Sequence, residues 1–211
     1  MRALHRLVMA LLAASGASPA AAPPFAVLWS SCWPQGCAEH NTTAVPPVDW
    51  TRWRITTNPN ASTGDGPREA SVVATWYSQS TGRYPWVADP HTHNGVWHNG
   101  GLPQLANLTA HLTKLATDVD KWFPAKDFSG AVALDWEYWQ PSWDANTYSC
   151  CKGEFAIYNN LSTELVLKRH PDWSLPRAQA QAKTEYNTAA RTFMVRTLQT
   201  LQALRPTAKW G

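Results

Sequence analysis

The stretch Ala131-Val132-Ala133-Leu134 runs straight into Asp135-Trp136-Glu137-Tyr138-Trp139. A short apolar run of this kind, starting after Gly130, reads as a strand buried on both faces, the pattern of a parallel sheet. Side chains alternate along a strand, so Asp135 and Glu137 should point to the same side, roughly 6–7 Å apart along the backbone. Two acids that close, partly desolvated by Trp and Tyr, cannot both stay ionised cheaply. One of them is expected to titrate nearer the working pH beside a charged partner, which is the equipment of a glycosidase. The competing reading is a chance Asp-x-Glu at a solvated strand end or helix start. The apolar approach and the aromatic surround argue against it.

Length leaves room for that strand in one domain, or in a piece of a larger one, since 211 residues suffice for a real core. Hydrophobic residues make up 44% and charged residues 16%, which excludes a disordered chain. The formal charge of +3 is mild, and with no Lys/Arg run a nucleic-acid partner is not expected. Thirteen Trp is a heavy load. Trp plates stack on sugar faces, although filling cores and barrel walls is their commoner use.

Residues 1–24 read as a secretory signal peptide and not as fold. Arg2, His5 and Arg6 give a positive start, Leu7 to Ala14 is apolar, and Ala20-Ala21-Ala22 offers small residues for cleavage. No later apolar run is long enough to span a bilayer. Sequons at Asn41, Asn60, Asn107 and Asn160 agree with export, so a secreted, lumenal or lysosomal location is expected. Export also permits disulfides among Cys32, Cys37, Cys150 and Cys151. Three connectivities are open, the least favoured being the strained ring that would join the neighbours Cys150 and Cys151. A zinc site borrowing His91, His93 and His98 is the rival. Those histidines lack a recognised ligand spacing, so no metal and no cofactor is expected.

From Phe25 the order of elements repeats. Phe25 to Trp29 and Ser71 to Tyr77 read as strands, separated by a long loop over Val45–Gly66. Leu108, Leu112, Leu115, Val119 and Trp122 mark one helical face. Gly130–Asp135 is the third strand. A longer helix over Pro176–Leu204 turns Tyr186, Ala189, Phe193, Thr197 and Leu201 inward, with Ser174 placed to cap it and Pro206 to stop it. Lys209-Trp210-Gly211 looks like the approach to a fourth strand. Strand-helix alternation predicts an α/β protein with a parallel sheet, and (β/α) barrels carry catalytic carboxylates at the carboxyl ends of such strands.

Asp135-Trp136-Glu137-x-Trp139 followed by Pro141 resembles the active-site strand of the animal and venom hyaluronidases, glycoside hydrolase family 56. Asn99-Gly100-Gly101-Leu102-Pro103-Gln104, with Asn107 to His111 behind it, is similar to that family's Asn-Gly-Gly-x-Pro-Gln segment. So are His170-Pro171 through Trp173, the helix holding Glu185 and Phe193-Met194, and Leu204-Arg205-Pro206 through Trp210-Gly211. The resemblance covers essentially everything from Phe25 onward. It implies a distorted TIM-like (β/α) barrel with fewer than eight strands, cleaving β-1,4 bonds at N-acetylhexosamine in hyaluronan, and possible activity on chondroitin. The implied mechanism is retaining and substrate-assisted, an exception to the two-carboxylate rule. Glu137 would be general acid and then base, and Asp135 would hold the acetamido group as its carbonyl attacks the anomeric carbon. Tyr77 would hydrogen-bond near the same group. Tyr138, Trp139 and Gln140 are the further candidate substrate contacts, whereas Trp136 alternates to the other side as wall.

Some residues depart from the family. Gln140 stands where its members usually carry Arg, which removes a cation that could meet a substrate carboxylate. Cys37 resembles the family's N-terminal core cysteine, whose partner lies in the later half. The family continues past Trp-Gly into a Tyr-Tyr…Pro segment and further strands. The barrel is therefore expected to be truncated after three or four strands. Two classes stay open: an active glycosidase, or a catalytically inactive hyaluronidase-like chain that binds glycosaminoglycan weakly at most.

Overall fold

The computed structural model describes residues 27–29, 50–57, 73–88, 95–147 and 156–211. Its centre is a parallel three-stranded sheet of β3 (Val73–Tyr77), β6 (Ala131–Asp135) and β7 (Lys209–Trp210), in the order β3-β6-β7. Helix α1 (Leu108–Trp122) crosses from β3 toward β6, and α3 (Leu175–Leu204) returns the chain to β7. Parallel neighbours need such crossovers, and helices supply them. The fourth strand is thus present, and Leu134 N–H extends its pairing by donating to Gly211 O at 2.6 Å.

Alternation along these strands sorts the side chains by face. Ala74, Trp76 and Val132 are buried against Leu115, Val119, Trp122, Phe123 and Leu201 of the two helices and their ends. Trp76 meets Phe123 edge-on at 5.2 Å, and Trp210 meets the same ring at 5.3 Å. Burying each large apolar side chain contributes roughly 1.5–3 kcal/mol, which fastens the helices to this face only. Among the described residues nothing covers the opposite face. Ala133 is exposed, and Val73, Thr75, Ala131 and Asp135 are half-buried. The expectation of a strand buried on both faces is therefore corrected, because among the described residues α1 and α3 cover a single side.

Among the described residues the strands form three separate sheets, not a closed barrel. β1 (Val27–Trp29) pairs in parallel with β2 (Ile55–Thr57), so the Val45–Gly66 segment is not wholly irregular. β4 (Trp86–Ala88) and β5 (Val96–His98) form an antiparallel hairpin where sequence suggested only loop. A further helix, α2 (Ala156–Arg169), was also not foreseen. It buries Tyr158 and Val166, the latter against Ala178 and Ala182 of α3.

Both expected helices form: α1 spans the residues whose spacing marked its face, and α3 starts one residue before Pro176 and ends at Leu204 as expected. In α3 the inward residue is Ala190, not Ala189, because the stripe Ala178, Ala182, Tyr186, Ala190, Phe193, Thr197, Leu201 follows the 3.6-residue period. Ser174 occupies the N-cap position of α3, but its side chain makes no capping hydrogen bond; Pro stands in the first turn. Asn107 does cap α1, accepting from Ala110 N–H at 2.9 Å. At the far end of α1, Arg205 is fully buried and donates to Phe123 O at 2.7 Å, Leu204 O at 2.9 Å and Asp120 Oδ1 at 2.8 Å. Lys126 and Arg205 together hold the Asp120 carboxyl below the usual carboxylate range.

Candidate active site

Register decides which side chains share the open face of the sheet. Tyr77 pairs with Asp135 across β3 and β6, one residue at the carboxyl end of each strand. Cross-strand partners carry side chains on the same face, about 4.5–5.5 Å apart at Cβ. Tyr77 is 52% exposed and Asp135 half-buried, so both can be reached from solvent. Glu137 follows two residues later and is exposed. Among the described residues, the aromatic enclosure expected around the acid pair does not form over Glu137. The rings of this segment turn into the core beneath it instead.

Trp136 packs on Tyr84 at 4.8 Å, on Phe193 at 5.6 Å and edge-on to His111 at 6.3 Å. It is wall, as alternation suggested. Trp139 is buried with 1% exposure, donates from Nε1 to Pro85 O at 2.8 Å and stacks on Tyr84 at 5.2 Å. Its ring braces the wall from inside and does not face the open side. Tyr138 stacks on Trp86 at 4.3 Å, and Trp86 stacks on His98 at 4.0 Å, giving a half-buried aromatic column from β4 and β5. Burial drives the Tyr84 and Tyr186 phenols well above the ordinary tyrosine value, so both stay neutral.

The chain past Glu137 is held by its backbone. Gln140 N–H donates to Asn146 Oδ1 at 2.8 Å, while Gln140 O accepts from Asn146 Nδ2 at 3.2 Å and from Tyr186 OH at 2.7 Å. Asn146 is fully buried and also donates to Ser142 O at 2.9 Å. Neither Asn146 nor Tyr186 was read from sequence as part of the site. An Asn six residues past a turn carries no periodic signal, and Tyr186 was read only as core.

The Asn99-Gly100-Gly101 turn plays a similar supporting role. Its three residues have φ of 52°, 99° and 71°. A Cβ at Gly101 would lie 2.4 Å from the Trp97 ring, so the turn needs glycine for both conformation and space. Asn99 Nδ2 donates to Tyr84 O at 2.9 Å, and Gln104 Nε2 donates to Ser162 Oγ at 2.9 Å, tying the hairpin to α2.

Of the other expected sites, Asn107 and Asn160 are exposed. Residues 1–24, Asn41, Asn60, His91, His93, Cys32, Cys37, Cys150 and Cys151 lie outside the described residues. Among the described residues no cluster of three His, Cys, Asp or Glu is arranged to hold a metal, and no helix is long and apolar enough to cross a membrane.

A sequence model of the hyaluronidases, glycoside hydrolase family 56, matches residues 16–211. The chain belongs to this family. Human hyaluronidase-1 is 37% identical over 188 residues, covering 89% of this chain and 39% of that protein. Hyaluronidase-1 of Bitis arietans is 34% identical over 200 residues, covering 92% of this chain and 40% of that protein. The chain thus spans about two fifths of the length of these hyaluronidases. Bee venom hyaluronidase, solved in complex with a hyaluronic acid tetramer, superposes with a TM-score of 0.67 at 26% identity. That match covers 89% of this chain and 53% of the bee protein.

Proposed function

We propose that this protein is an endo-acting glycosidase of hyaluronan, retaining and substrate-assisted, with Glu137 and Asp135 as its reacting pair. The observation that carries this reading is the cross-strand pairing of Tyr77 with Asp135 at the carboxyl ends of parallel strands, with Glu137 exposed two residues on. Glu137 gives its proton to the glycosidic oxygen as the C–O bond breaks. The acetamido carbonyl oxygen of the same sugar attacks the anomeric carbon and forms a cyclic intermediate. Asp135 accepts the acetamido N–H and stabilises the positive charge that develops there, and Tyr77 donates its phenol to the same group. Water then opens the ring with Glu137 as base. Hyaluronan is the proposed partner, met on the secretory route, and the exposed Asn107 and Asn160 sequons are compatible with glycosylation there.

A second reading is a catalytically silent chain that only binds glycosaminoglycan, favoured by the open sheet face and the solvent around Glu137. Turnover of hyaluronan oligosaccharides separates the two. On the proposed reading Glu137→Gln lowers the rate at least about 10²-fold without unfolding the chain, the scale of a lost general acid. Asp135→Asn lowers it too, and mass spectrometry finds no covalent sugar on Asp135. Retention of more than about a tenth of wild-type rate in Glu137→Gln, or a glycosyl adduct on Asp135, would sink the assignment. Binding without cleavage by the wild type would establish the second reading.

A further inference from the structure

We propose that His111, on α1 and outside the reacting group, is a positioning residue that locks together the chain segments leaving β3 and β6. The inference rests on the proposed roles of Tyr77 and Asp135, but its geometry stands by itself. His111 is fully buried, and its two ring nitrogens hold different elements. Nδ1 accepts the Arg83 N–H at 2.9 Å, and Nε2 lies 2.9 Å from Thr197 Oγ1 on α3. The Thr197 hydroxyl donates its own proton to Phe193 O at 2.7 Å, so it must accept from Nε2–H. The tautomer is fixed by its partners: neutral, protonated on Nε2.

Arg83 closes the loop that follows Tyr77. Within this loop Thr81 Oγ1 and Ser80 Oγ donate to Tyr77 O at 2.7 and 3.1 Å, so loop position and strand end move together. Gly82 carries the loop flush against the imidazole. Its φ is 63°, and a Cβ there would lie 2.6 Å from His111 Nδ1. Gly82 N–H donates at 2.9 Å to Asp118, two turns further along α1, and Asp118 pairs with Lys114. On its other side the imidazole packs on Phe193 at 4.2 Å and meets the edge of Trp136, the residue between Asp135 and Glu137. One ring thereby sets the loop behind Tyr77 against the wall behind the acid pair. A clamp of this kind matters because small misplacements of reacting groups cost orders of magnitude in rate.

Two variants divide the ring's functions. His111→Asn keeps an acceptor near Nδ1 for Arg83 and gives up Thr197. His111→Gln reaches Thr197 and gives up Arg83. Amide hydrogen exchange of the Tyr77–Arg83 segment reads the clamp directly in the 211-residue chain. We expect exchange there to quicken about tenfold or more in His111→Gln, with α3 still protected, and to be largely restored in His111→Asn. Turnover follows suit, with kcat falling at least about tenfold in His111→Gln and much less in His111→Asn, at similar KM. Unchanged exchange in His111→Gln, or equal loss of protection across loop and α3 in both variants, would overturn the clamp. If the wild type is inert toward hyaluronan, the proposed function fails, and the exchange result still decides the clamp by itself.

Discussion

At the scale of single residues, the same imidazole makes stability depend on acid. Burial lowers the His111 pKa from 6.5 to about 4, because charging the ring would strand it away from water. Above 6.5 the folded and unfolded forms are both neutral, and the contribution of the neutral ring is complete. As pH falls from there toward about 4, the unfolded chain takes up a proton that the folded chain refuses, and stability drops by roughly 3 kcal/mol. Urea midpoints of wild type and His111→Gln measured from pH 7.5 to 4 should converge as pH falls. A constant gap would mean that the ring is not held neutral. The sequence shows why some residues were legible and others not. Asp135 and Tyr77 end strands, where the period-2 alternation assigns their side, and Glu137 follows two residues on. His111 has no such signature. A lone histidine among helix-face leucines reads as core, and only tertiary packing, which brings the turn of residues 78–83 and Thr197 of α3 against α1, gives it its partners.

At the scale of elements, helix period and strand alternation were sufficient wherever a segment is long and its burial one-sided, as in α1, α3 and β3. They failed for β4 and β5, whose three residues each are too short to show a period and whose pairing depends on the Asn99–Gly101 turn holding the chain. They failed again for α2, where inward Tyr158, Asn159, Ser162 and Thr163 mix polar with apolar, since serine and threonine hydroxyls are satisfied by donating back along the helix. β6 was found but misread, as its short apolar run suggested two covered faces. The structure gives this strand a sharp asymmetry that a pair of substitutions can test. Val132→Lys should unfold the protein or cost upward of about 3 kcal/mol, by putting an unpaired charge in the core. Ala133→Lys, one position on, should change stability by less than about 1 kcal/mol. Thermal denaturation of both variants checks this, and equal losses would mean that the open face is covered after all.

At the scale of the whole molecule, the sheet and its two crossover helices carry the site's geometry, while the open face gives the surface a particular character. Val73, Thr75, Tyr77 and Ala133 form a strip of small and aromatic groups beside the acid pair, and Val96, Trp97 and Leu105 add exposed apolar area. Sheet faces and edges of this kind recruit one another. The 211-residue chain by itself should therefore self-associate at micromolar concentration and bind a hydrophobic dye, and Thr75→Lys should weaken both. Sedimentation velocity with the wild type and Thr75→Lys tests this. A sharply melting monomer that leaves the dye dark would refute it. The family resemblance was legible because its motifs are local runs of residues, several of them on the turns and strand ends around the candidate site. The openness of the strip follows from which elements pack on the sheet, which no local pattern records.

The triple donation of Arg205 has a consequence for how the protein comes apart. A guanidinium keeps its proton at any pH a protein meets, and Asp120 keeps its charge further into acid than an ordinary carboxylate. The latch between α1, the C-terminal end of α3 and the Phe123 carbonyl therefore holds further into acid than an ordinary carboxylate pair would. A second fastening of α1, at His111, loses its acceptor for the Arg83 N–H when its ring gains a proton. One rod is tied at one end by a knot that acid loosens and at the other by a knot that acid leaves tight. Acidification should therefore fray the molecule directionally, freeing the Tyr77 loop while the Arg205 corner still holds, so that the proposed reacting groups lose their alignment before the fold is lost.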